Sequence, residues 1–82
     1  MIIEEVKLIL RDTLQLGDRA EAMQAATHLL GRLPELDSMA VVTVITALED
    51  NYGFIVDDDE ISADTFETLG SLVNFVREKI DA

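Results

Sequence analysis

The sequence predicts an all-α protein: a small four-helix bundle with a long loop between helices 1 and 2 and a short third helix. Three observations point there. Apolar residues recur at helical spacing in separate stretches, with polar and charged residues between them. Residues that start or stop helices (Asp37, Gly53, Ser62, Thr68) fall at the edges of those stretches. No stretch makes a convincing strand. The 82 residues are read as one domain, 1–82. At this size about 60% of the unfolded chain's surface can be buried, enough for one thin core and no deep substrate cavity.

The elements follow in order. Ile2, Val6, Ile9, Leu10 and Leu14 share one face, with Glu5, Lys7, Arg11 and Asp12 between them. This predicts a first helix over about residues 2–15, stopped by Gly17-Asp18. The connection over about residues 17–37 is long for so small a domain, a feature often tied to function. Its Arg19–Ala26 stretch suits a turn or two of helix, and Leu29, Leu30, Leu33 and Leu36 suggest a loop pinned onto the core. The second helix is expected from Ser38 to about Tyr52, capped by Asp37 and stopped at Asn51 and Gly53. Its β-branched run, Val41–Thr46, favours strand by propensity. The cap and the Val42, Ile45, Leu48, Tyr52 spacing favour helix. Phe54-Ile55-Val56 reads as an apolar plug before the acidic stretch Asp57–Glu60. Ile61–Phe66 reads as a short third helix capped by Ser62. Thr68 caps the last, over about 69–80, with Leu69, Leu72, Val73, Val76 and Ile80 inward and Gly70 a modest weakness. Tyr52, Phe54, Phe66 and Phe75 are expected in the core.

Composition narrows the function. Seventeen acids against six bases give a net charge of −11. Nucleic-acid binding needs the opposite balance, and anionic membranes are disfavoured too. Self-repulsion of this size predicts that added salt raises the melting temperature. No apolar run approaches the roughly 20 residues of a membrane helix. The acidic start Met1–Glu5 is unlike a secretion signal, so a cytoplasmic protein is expected. There is no cysteine, hence no thiolate nucleophile or zinc–thiolate site. The single histidine, His28, is read as a half-exposed loop residue. Asp57–Glu60 lacks the glycine and ligand spacing of a calcium loop and is read as solvated, so no metal site is assigned. No nucleophile–base pair or cofactor loop can be assembled, so the chain is not expected to be an enzyme.

Ser38 is the residue with chemical promise. Helix N-termini offer unpaired N–H groups and favour negative charge, so a hydroxyl there is well placed to carry a phosphate. Serine and aspartate are also common helix-start residues, and Asp37-Ser38 alone argues only for a cap.

Asp37-Ser38-Met39 has company, however. Leu36 precedes it, and Ala47-Leu48-Glu49-Asp50-Asn51-Tyr52 ends the helix that it opens. Asp59-Glu60-Ile61-Ser62 leads into the third helix, and Thr68-Leu69-Gly70-Ser71-Leu72 opens the fourth. Over nearly its whole length the chain resembles the acyl carrier proteins. The resemblance implies that Ser38 receives 4′-phosphopantetheine from coenzyme A, attached by a separate phosphopantetheinyl transferase that needs Mg²⁺. The thiol ending that arm holds acyl groups as thioesters. Asp37 matches the acid of the motif, a cap that in similar proteins helps position the metal during transfer. Met39 matches the apolar position expected to contact the transferase and later enzymes while covering part of the core. Acyl-loading and acyl-transfer enzymes are the further partners, and a free-standing monomer is expected.

The chain departs from carriers of fatty acid synthesis at Ala40, Val41, Thr43, Val44, Thr46 and Ala47, where such carriers often show acids. Acids resume at Glu49 and Asp50. With Val42, Ile45 and Leu48 inward, Val41 and Val44 are expected to be partly exposed. Partners would then dock on an apolar strip beside Ser38 that includes Val41, Val44 and Glu49. That favours a specialised acyl, lipid or polyketide pathway. A peptidyl carrier, or an unmodified helical adaptor descended from carriers, are the alternatives.

Overall fold

A computed structural model describes residues 2–34 and 36–81, and of Asp58 the backbone only. Met1, Glu35 and Ala82, which belong to the expected N-terminal signal reading, loop and chain end, lie outside the described residues. Among the described residues three α-helices form: α1 (Ile2–Leu14), α2 (Ser38–Tyr52) and α3 (Leu69–Asp81). Short 3₁₀ turns lie at Gly17–Ala22, Asp58–Glu60 and Ala63–Phe66. The third helix of the bundle is thus the single 3₁₀ turn Ala63–Phe66, shorter than the expected 61–66. The chain is all-α, and among the described residues pairing of strand type is limited to one isolated bridge, His28 with Thr68.

Each boundary has a local cause. α1 ends as Gln15 turns left-handed at φ +55°, with the Leu16 amide donating back to the Arg11 carbonyl. α2 starts on Asp37, whose Oδ1 accepts from the Ala40 amide at 2.8 Å. It stops at Gly53, left-handed at φ +76°, whose amide donates to the Glu49 carbonyl. Ser62 and Thr65 form a reciprocal cap on the Ala63–Phe66 turn. Thr68 and Ser71 do the same for α3: the Ser71 amide donates to Thr68 Oγ1 and the Thr68 amide to Ser71 Oγ.

The core is built of Val6, Leu10 and Leu14 from α1, Val44 and Leu48 from α2, Leu69, Leu72, Val73 and Val76 from α3, and Phe66. The α1–α2 connection adds Leu16, Ala20, Met23, Leu29 and Leu36. It is therefore a structured wall. Backbone hydrogen bonds lace it to the start of α3: Gly70 N to Ala25 O (2.8 Å), Leu69 N to Thr27 O (2.9 Å), Leu29 N to Glu67 O (2.9 Å) and Leu30 N to Phe66 O (2.9 Å).

Several expectations need correcting. Gly70 is more than a weak helix residue, because a Cβ there would meet the Ala25 carbonyl oxygen at 2.9 Å. Ile80 is 42% exposed, where Val76, one turn earlier, is fully buried. Leu30 is exposed where Leu29 is buried. Ile55 does not plug anything: it is 77% exposed. Phe66 alone of the aromatic residues is fully buried. Tyr52, Phe54 and Phe75 are half-buried, with Tyr52 and Phe54 stacked at a centroid distance of 6.0 Å. His28 is exposed.

Candidate functional site

Ser38 is the first residue of α2 and is exposed. Leu36, buried two residues earlier, anchors the approach, and Asp37 turns the chain into the helix. The Ala40 amide is taken by Asp37 Oδ1 and the Val41 amide by the Asp37 carbonyl. The amides of Ser38 and Met39 make no hydrogen bond among the described residues. Asp37 is itself exposed, with its second carboxylate oxygen open to solvent. The first turn of α2 carries no acid. An exposed hydroxyl, two unspent amides and the positive end of a helix dipole suit an anionic phosphodiester. The residues present therefore fit the prosthetic group that the resemblance implies, which Ser38 Oγ would hold. When bound, that group supplies a thiol that carries cargo as a thioester.

The remaining site residues fall out differently. Met39 is 75% exposed, so it offers a contact beside Ser38 but covers none of the core. Val41 is half-buried against the core. Val44 is fully buried, which corrects its expected exposure. The helix is phased so that Val41, Val44, Ile45, Leu48 and Tyr52 face inward, and Val42, expected inside, is 60% exposed. Glu49 is half-buried, and its Oε2 accepts from the Val56 amide at 2.8 Å, tying the following loop to α2. The outward face is thus Met39, Val42, Thr43, Thr46 and Asp50. The series Thr43, Thr46, Asp50 was the signal for it: those polar residues recur at helical spacing, and Val42 lies four before Thr46.

An apolar cleft opens beside this helix, about 260 Å³, lined by Leu30, Val41, Ile61, Ser62, Ala63 and Phe66. The acidic turn is organised from within. Glu60 Oε2 accepts from the Asp57 amide and its carboxylate meets Lys79 Nζ at 2.8 Å. The Asp57 amide first, and then Lys79, hold the Glu60 carboxyl below its ordinary range. Among the described residues no cluster of metal-ligating side chains occurs. Nor is any helix long and apolar enough to cross a membrane.

Comparison with known proteins gives a consistent answer. Residues 4–76 match the family model described as phosphopantetheine attachment site. The solution NMR structure of a holo acyl carrier protein from Nitrosomonas europaea is 60% identical, with a TM-score of 0.91 over 98% of this chain and 96% of that one. No curated protein matches significantly. The cofactor of such carriers is phosphopantetheine, and they are not catalysts. The chain belongs to the phosphopantetheine-binding acyl carrier protein family.

Proposed function

We propose that Ser38 carries the 4′-phosphopantetheine arm and that the protein delivers acyl groups, as thioesters on that arm, between enzymes of a specialised pathway. The observation that carries this reading is the exposed Ser38 hydroxyl at the first position of a capped fifteen-residue helix. In the loading step Ser38 Oγ forms a bond to the β-phosphorus of coenzyme A. The pyrophosphate linkage breaks, adenosine 3′,5′-bisphosphate leaves, and the hydroxyl proton passes to a base of the transferase. Asp37 keeps the helix start ordered and offers its free oxygen to the transferase's Mg²⁺.

The specialised assignment rests on the absence of charge from Ser38 to Leu48, where a partner reading acids would find none. The chain works in the cytoplasm as a monomer and a single domain, 1–82. Its partners are the transferase and the enzymes that load and remove its cargo.

The test is intact mass after incubation with coenzyme A, Mg²⁺ and a broad-specificity phosphopantetheinyl transferase. The protein is expected to gain one phosphopantetheine and Ser38→Ala none. A wild-type chain left unmodified by two such transferases overturns the reading in favour of an adaptor.

A further inference from the structure

The chain has three methionines and no cysteine, so all of its sulfur is thioether. The two methionines among the described residues sit in opposite surroundings. Met23 is 6% exposed and belongs to the hydrophobic core. Met39 is 75% exposed, in the first turn of α2 and directly after Ser38. Its main chain is fixed, because its carbonyl accepts from Thr43 Oγ1 at 3.0 Å. Its side chain stands in water. A thiol must ionise before it reacts with an oxidant, whereas a thioether has no proton to lose. Exposure therefore decides which of these two sulfurs a peroxide reaches.

We infer that Met39 is a redox-sensitive modification site: a peroxide converts it to the sulfoxide, and the sulfoxide slows attachment of the prosthetic group at Ser38. The inference rests on the assignment of Ser38 above. In the oxidation the Met39 sulfur attacks one oxygen of hydrogen peroxide and an S–O bond forms. The O–O bond breaks, the proton of the transferred oxygen passes to the departing hydroxide, and water leaves. Sulfur gives up two electrons and the peroxide takes them.

The consequence follows from position. Ser38 and Met39 are consecutive in one helical turn, so an enzyme that reaches Ser38 Oγ covers the Met39 side chain. The unoxidised side chain is flexible and apolar and adapts to the surface closing over it. The sulfoxide carries a polar S–O bond, and the same closure strips that oxygen of water. The folded chain loses nothing, because Met39 covers none of the core. Timing follows from composition. Before modification the chain has no thiol to draw the oxidant away from Met39; afterwards the arm brings one. Oxidation of Met39 thus acts on entry into the carrier's working cycle, and methionine sulfoxide reductases restore it.

The experiment treats the unmodified chain with hydrogen peroxide and removes the peroxide before the transferase is added. Peptide masses follow oxidation at Met39 and Met23, kcat and KM are measured for loading by a phosphopantetheinyl transferase, and thermal melts are recorded alongside. Met39 is expected to be oxidised before Met23, with the melting temperature unchanged and KM raised about ten-fold. Reductases for both sulfoxide epimers should return KM to its starting value. Met39→Leu has a KM of its own, and that value is expected to be the same before and after peroxide. Oxidation of Met23 as fast as Met39 overturns the inference. So does a KM within two-fold of the untreated chain once Met39 is fully oxidised, or a peroxide effect of equal size in Met39→Leu. Each of these leaves Ser38 as the attachment site. An untreated chain that takes up no phosphopantetheine overturns the Ser38 assignment and the slowing of attachment together, while the peptide masses still report the order of oxidation.

Discussion

α2 and α3 are close in length but are held in opposite ways. α3 is fastened at its start by backbone hydrogen bonds from Leu69 and Gly70 to the α1–α2 connection, and by the Thr68–Ser71 cap. Its exposed side carries Asn74, Arg77, Glu78 and Asp81, the usual coat of a helix facing water. α2 is fastened by one side-chain cap and by the inward Val44 and Leu48, and its exposed side is Met39, Val42, Thr43, Thr46 and Asp50. The difference lies in how each helix is anchored and in what it shows to solvent. One helix is locked from behind and dressed for solvent. The other presents a face that carries no charge from Ser38 to Thr46 and reaches an acid only at Asp50.

The largest test of this contrast puts the same carboxylate on the two faces of α2. Val44→Glu buries a charge with no cation to meet it and is expected to cost more than about 3 kcal/mol, enough to unfold a domain of this size. Val42→Glu leaves the charge in water and should change stability by about 0.5 kcal/mol or less. Thermal melts of the two variants check this. Equal losses would mean that the two faces of α2 are not distinct.

The next test addresses the anchoring of α3. On helix propensity alone, Gly70→Ala should stabilise by up to about 1 kcal/mol. The added Cβ would meet the Ala25 carbonyl oxygen at 2.9 Å, a backbone atom that is itself hydrogen-bonded to Gly70. The expected net result is a loss of about 1–3 kcal/mol by urea denaturation, as for overpacking elsewhere. A more stable variant would show that the lacing can yield.

Much of this was legible in the sequence. The caps at Asp37, Ser62 and Thr68 and the stop at Gly53 fixed the helix starts and ends, because capping chemistry is local. Ser38, the proposed attachment residue, stands out in the sequence for the same reason. The phase of α2 was not. Apolar residues line both its sides, so the spacing of Val42, Ile45, Leu48 and Tyr52 fits a helix as well as that of Val41, Val44, Ile45 and Leu48, and only tertiary contact decides between them. The role of Gly70 was hidden for a related reason: its neighbour is Ala25, far away in the chain, and no local rule reveals a close approach of that kind. Ile55 reads as part of an apolar plug because it is apolar, and exposed apolar residues leave no pattern when they stand in a loop.

A smaller effect is expected at the start of α2. Asp37→Ala removes the acceptor of the Ala40 amide, a loss of about 1 kcal/mol for a typical N-cap. If α2 is held at that end by its cap and by little else, hydrogen exchange of the Ala40 amide should quicken more than that of Leu69 or Gly70. Equal acceleration in both regions would mean that the helices loosen together.

The smallest effect concerns the other end of α2. The Tyr52 hydroxyl donates to Glu5 Oε1 at 2.9 Å, joining α2 to α1. Burial first, and then the Glu5 carboxylate as hydrogen-bond acceptor and as negative charge, push the phenol up from 10.0 to about 12. The folded state therefore holds this proton more tightly than the unfolded chain. Below about pH 10 both states are protonated and the contribution is complete. As pH rises from 10 toward 12 the unfolded chain loses the proton first, and stability falls. Tyr52→Phe should lose about 0.5–1 kcal/mol at neutral pH, the net worth of one hydrogen bond. The difference between wild type and variant should then shrink as pH passes from 10 to 12, since the variant has no phenol to ionise. Every other titratable group is common to both proteins, so the difference isolates Tyr52. A difference that stays constant across that window would mean that the Tyr52–Glu5 contact does not bind the C-terminal end of α2 to α1, and that α2 is held there by Leu48 and the packing of the Tyr52 ring alone.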